Sequence, residues 1–65
     1  MPRLTPRKLE VAALVAQDLT NAEIGARLFI APTTVRAHLV RITDVLRCRS
    51  RVGVAVWYVR NHPQD

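Results

Sequence analysis

The sequence predicts an all-α domain of four helices, at about residues 6–17, 21–28, 32–46 and 51–60. Three observations predict it. Apolar residues recur at steps of three and four in each of these stretches, the spacing of one helix face. Each stretch is opened by a start signal: Thr5-Pro6, Thr20 with Glu23, Pro32 and Ser50. And 65 residues make one small domain, 1–65, which buries only ~60% of its unfolded surface and cannot hold both a core and a deep cleft.

After a short lead-in, Met1 to Leu4, the first helix begins with a capping hydroxyl and a proline whose missing N–H costs nothing at that position. Val11, Leu14 and Val15 mark its core side, and Ala12, Ala13 and Ala16 allow neighbours to approach. In the second helix Thr20 and Glu23 form a capping box, and Ile24 and Leu28 stand one above the other. Gly25 would cost ~1 kcal/mol in an exposed helix, so it marks a close contact with the longer helix. Phe29 and Ile30 are expected to fill the turn and bury against the first helix.

The third helix starts at Pro32, and Ala31 before it is pushed out of helical geometry. Val35, Leu39, Ile42 and Leu46 form its inner stripe. Thr33, Arg36, Ala37, Val40, Arg41 and Asp44 form the opposite face. No glycine is present near Arg47 for a left-handed cap. Ser50 is placed to cap the fourth helix, which is apolar nearly all round. Val52, Ala55, Val56 and Val59 make one stripe, taken to serve the core. Val54, Trp57 and Tyr58 make a second, read as a dimer contact unless Trp57 folds back onto the first helix. Asn61 to Asp65 is a polar tail.

A short helix, a tight turn and a longer helix between Thr20 and Arg47 form a helix-turn-helix, whose second helix lies in the major groove of DNA. The outer face of that helix carries two Arg, which read guanine, and small apolar groups, which touch thymine methyls. A solvated face with ordinary charge spacing is the bland alternative. The net charge of +5 comes from nine Arg and one Lys against five acids. Residues 1–35 carry four basic and three acidic groups, net +1; residues 36–65 carry six and two, net +4. An arginine-built patch suits phosphate and base edges.

Other chemistry has little to stand on. His38, His62 and Cys48 are not spaced as metal ligands, the only glycines are Gly25 and Gly53, and the acids are scattered. Neither catalysis nor a cofactor is expected. Cys48 is the single cysteine and reads as a small core residue. The longest apolar run, Val11 to Ala16, is far too short to span a bilayer, and no signal-peptide pattern appears. A cytoplasmic protein is the resulting expectation.

The chain resembles the LuxR-type (GerE/NarL-type) helix-turn-helix domain of bacterial transcription regulators. The resemblance runs through Leu4-Thr5-Pro6-Arg7, Thr20 to Ile24, Arg27 to Ile30, Pro32 to Leu39, Arg49-Ser50-Arg51-Val52 and Ala55-Val56-Trp57, at matching spacing from Leu4 to Val59. It implies that Arg36, Ala37 and Val40 face bases, and that Thr33, Thr34, His38, Arg41, Arg49 and Arg51 meet phosphates. It also implies a homodimer on double-stranded DNA through the fourth helix and a contact with RNA polymerase. Lys8, Ala31, Arg47, Gly53 and Val40 depart from the family pattern. Region 4 of a sigma factor is the alternative within DNA binding, and a dimerisation module without DNA the alternative outside it.

Overall fold

The computed structural model describes residues 3–62; Met1 and Pro2 of the lead-in and 63–65 of the tail lie outside the described residues. The four helices are α1 (Pro6–Ala16), α2 (Asn21–Leu28), α3 (Pro32–Leu46) and α4 (Arg51–Asn61), and no strand occurs among the described residues. α1 packs most extensively against α4, and α2 against α3, with α1 also crossing α3. Val11, Ala12 and Val15 of α1, Ile24 of α2, Val35, Leu39 and Ile42 of α3 and Val54 of α4 meet in the core. Each fully buried aliphatic side chain contributes about 1.5–3 kcal/mol.

The helix starts follow the local sequence. Thr5 Oγ1 accepts from the Lys8 amide at 3.3 Å. The α2 capping box is complete: the Thr20 amide donates to Glu23 Oε1 at 2.8 Å, and the Glu23 amide to Thr20 Oγ1 at 3.1 Å. Those bonds to the charged form hold the Glu23 carboxyl below its usual range. Ala31 gives α3 no side-chain cap. Ser50 does occupy the N-cap position of α4, but its hydroxyl makes no capping bond, contrary to the sequence expectation.

All three turns between helices use one device. Asp18 (φ 65°), Phe29 (φ 59°) and Arg47 (φ 55°) adopt the left-handed conformation just past a helix end. The next amide then bonds back five residues: Leu19 to the Leu14 carbonyl at 3.3 Å, Ile30 to Gly25 at 3.0 Å and Cys48 to Thr43 at 3.0 Å. This is the Schellman closure, normally built on glycine. Its hydrophobic partner is present each time, since Leu19, Ile30 and Cys48 turn inward and pack on the core. The left-handed residue itself points away. Phe29 is therefore 94% exposed rather than buried against α1, while Ile30 does pack inward. Hydrophobicity suggested burial for both, but the sign of φ separates them. A non-glycine residue in this conformation costs roughly 1–2 kcal/mol.

Both glycines answer to close approach. A Cβ on Gly25 would stand 2.5 Å from the Ile30 carbonyl oxygen and 3.4 Å from the Pro32 nitrogen. On Gly53 it would stand 2.8 Å from Cys48 Cβ and 3.3 Å from its sulfur. The contact at Gly25 is thus with the turn and the first residue of α3. Gly53, at first sight only a poor helix former, makes room for the inward Cys48.

The rotation of α4 is the principal correction to the sequence reading. Val54, assigned there to a dimer contact, is 0% exposed and belongs to the core. Trp57 lies half-buried beside Leu4 and Leu9, and Tyr58 half-buried beside Ala13 and Ala16. His62 stacks on Tyr58 with ring centroids 4.5 Å apart and meets Trp57 edge-on at 5.7 Å. The outward side carries Val52, Val56 and Val59, at 67%, 45% and 59% exposure. Both stripes are apolar at helical spacing, so periodicity alone could not choose between them. Arg51 makes the choice visible. Its guanidinium donates to Asn21 Oδ1 and to the Leu19 carbonyl, both at 2.7 Å, tying the first turn of α4 to the α1–α2 connection. Residues 51, 54 and 58 share one helix stripe, so the clamp and the buried valine require the same rotation.

Two stability changes follow. Ala31→Ser should raise the thermal midpoint, with a gain of ~0.5–2 kcal/mol from the restored cap of α3; an unchanged or lower midpoint would count against Ala31 as the cap position. Arg51→Ala should cost ~1.5–3 kcal/mol per charged hydrogen bond lost, and Arg51→Lys should recover little, because an ammonium lacks the two-pronged geometry. Denaturant midpoints of the three proteins check this, and a fully stable Lys variant would refute the clamp.

Candidate nucleic-acid interface

α3 is held by its inner stripe and leaves a continuous face to solvent. Val35 and Ile42 are fully buried and Leu39 nearly so, which fixes the helix against α1 and α2. At three- and four-residue steps from one another, Thr33, Arg36, Ala37, Val40, Arg41 and Asp44 are all exposed. Val40 keeps 61% of its surface in water. The residues singled out for base reading, Arg36, Ala37 and Val40, thus share one open face, with guanidinium, methyl and isopropyl groups side by side. That set offers bidentate donors for guanine and apolar surface for a thymine methyl.

The start of α3 is open as well. Ala31, Pro32, Thr33 and Thr34 are exposed. The Thr34 and Val35 amides bond to the Ala31 carbonyl at 2.9 and 3.1 Å, a tightened first turn. Pro32 has no amide, and no side chain caps the turn. The Thr33 and Thr34 hydroxyls stand at this positive helix end, where an anion is favoured.

The other phosphate candidates divide. Arg41 and Arg49 are exposed and have no hydrogen-bonded side-chain partner among the described residues. His38 is half-buried on the flank of α3, and its imidazole pKa lies below the usual value. Desolvation is the main cause, followed by the charges of Lys8, Arg7 and Arg41. A neutral imidazole there keeps one N–H donor without a buried charge. Arg51 differs from the rest: two of its guanidinium nitrogens are already spent on Asn21 and Leu19, so it orients α4 rather than standing free for a phosphate. Sequence inspection missed this because one acceptor is a backbone carbonyl 32 residues away. The phase match of Arg51 with Val54 was the available signal.

Among the described residues no group of three or more His, Cys, Asp and Glu side chains could hold a metal ion. None of the helices is long and apolar enough to cross a membrane.

Known proteins match this arrangement. The profile of the family described as bacterial regulatory proteins, luxR family (GerE), matches residues 2–58. The transcriptional regulatory protein LiaR of Bacillus subtilis is 44% identical over 59 residues, 91% of this chain and 28% of LiaR. The nitrate/nitrite response regulator protein NarL of Escherichia coli K12 is 40% identical over 55 residues, 85% of this chain and 26% of NarL. The transcriptional regulatory protein LnrK of Bacillus subtilis is 39% identical over 57 residues, 88% of this chain and 26% of LnrK. The chain therefore spans about a quarter of the length of these relatives. By profile, by relatives and by the order of its four helices, the chain belongs to the luxR family of bacterial regulatory proteins.

Proposed function

We propose that this domain binds double-stranded DNA sequence-specifically and thereby regulates transcription, with α3 seated in the major groove. The exposed face of Arg36, Ala37 and Val40, on a helix locked from behind, carries this reading. Thr33, Thr34, His38, Arg41 and Arg49 supply contacts to the flanking phosphates, and Arg51 serves the interface by holding α4 in place. The relatives' names, transcriptional regulatory protein and response regulator, agree with this role. It is a binding role without catalysis or cofactor, exercised where bacterial DNA lies, in the cytoplasm. RNA polymerase is the proposed protein partner at a promoter.

The domain pairs on DNA through α4. Val52, Val56 and Val59 form the outward apolar stripe and replace the earlier set of Val54, Trp57 and Tyr58. A two-fold contact uses the same patch on both subunits. It sets two α3 helices about one DNA turn, ~34 Å, apart. Each patch is small, so pairing depends on DNA bringing two copies together.

Selection from random duplexes should yield a preferred inverted repeat. Arg36→Ala should then lose ~1–3 kcal/mol on it and relax the choice at one base position; an unchanged preferred site would remove Arg36 from base reading. Val56→Glu should leave the melting midpoint near that of the parent, because the side chain is exposed, while abolishing cooperativity between half-sites. Retained cooperativity in that variant would rule out the α4 dimer.

A further inference from the structure

A cation in the first turn of α1 breaks the local rule for helix starts. α1 opens Pro6-Arg7-Lys8-Leu9-Glu10, with no acid in its first turn. Thr5 accepts from the Lys8 amide, so Lys8 occupies the position at which a capping box carries Glu or Gln. A cation there opposes the positive end of the helix. Local rules broken in this way are most often found where a residue serves function.

The placement of Lys8 shows what it could serve. It precedes Val11, Ala12 and Val15 by three, four and seven residues and so lies on their stripe, the buried side of α1. The residue is accordingly half-buried. Of the neighbouring charges that act on His38, that of Lys8 is the strongest, ahead of Arg7 and Arg41. α1 packs against α3, so the first turn of α1 and the His38 flank of α3 are neighbours. Arg7 is partly neutralised by Glu10 at 3.4 Å, whereas Lys8 has no carboxylate partner among the described residues.

Around α3, at about 100° per residue, Ala37, Arg41 and His38 follow one another from the outward face to the α1 side. Lys8, on the helix packed against that flank, acts on the His38 end of the strip. A helix about 10–12 Å across fills a major groove ~12 Å wide, so groups on its flanks meet the phosphates of the groove walls. We propose that Lys8 is a DNA phosphate contact, which extends the interface from α3 onto the first turn of α1. It rests on the DNA-binding reading above and adds a strand contact that α3 alone does not supply.

The test is a salt titration of the 65-residue chain against the duplex it selects and against a mixed-sequence duplex. One phosphate contact accounts for about 0.9 of the slope of log affinity against log salt. Lys8→Gln should reduce the slope by about that amount on both duplexes and leave base preference unchanged. Lys8→Arg should keep the parent slope. Thermal melting of Lys8→Gln should match or exceed the parent, since the cation at the helix start is gone. A parent slope retained by Lys8→Gln, or one lost equally in Lys8→Arg, overturns this inference and leaves the DNA reading intact. A parent chain with no salt-dependent binding to either duplex overturns both.

Discussion

The close approach of α2 to the start of α3 at Gly25 governs this domain. With no room for a Cβ beneath the Ile30 carbonyl, the chain can reverse within three residues and still pack Ile24 and Val35 into one core. The left-handed Phe29 and the bond from the Ile30 amide to the Gly25 carbonyl close the same corner from the other side. The angle of α3 is therefore set by backbone geometry as well as by side-chain packing. Its outward face is what remains once that angle is fixed, so Arg36, Ala37 and Val40 are displayed as a consequence of one glycine.

A second tie sets α4. This helix has hydrophobic surface on both sides, and its rotation could have gone either way on burial alone. Arg51 reaches the α1–α2 connection, Val54 enters the core and Cys48 seats against Gly53. These three contacts agree on one rotation. They also link the helix proposed for pairing to the connection that leads into α2, so in the proposed pair Arg51 would help to set the spacing of the two α3 helices.

The fold was largely legible in the sequence, because Thr5-Pro6, the Thr20 and Glu23 pair and Pro32 mark helix starts by local chemistry that tertiary packing did not override. The inner stripe of α3 was legible because the opposite face carries Arg36, Arg41 and Asp44, which leaves one side for burial. Illegible features involved the sign of φ, a helix apolar on two faces or a long-range backbone partner. Phe29 reads as a core residue until its left-handed conformation is known. Val54 and Val56 exchange roles because nothing local distinguishes two apolar faces. Arg51 looked like one more free arginine, since its acceptor at Leu19 is a carbonyl that every residue possesses. Of the candidate interface, the exposed face of Arg36, Ala37 and Val40 was legible from its helical spacing.

The places where local preference is broken have a pattern of their own. Lys8 stands at a helix start that favours an anion, Ala31 leaves α3 uncapped, and Arg47 takes a left-handed turn that suits glycine. Each gives up roughly 0.3–2 kcal/mol in a domain whose margin is about a few kcal/mol. All three leave positive charge or unsatisfied amide at the start, flank or end of α3. A phosphate would relieve the first two directly, by pairing with the ammonium and by accepting from the open first turn. Asp18 and Phe29 are the exceptions: their left-handed turns cost as much, and neither adds positive charge. At Lys8 and Ala31 the free domain forgoes stability that a polyanion would restore, so there binding and folding would draw on the same groups.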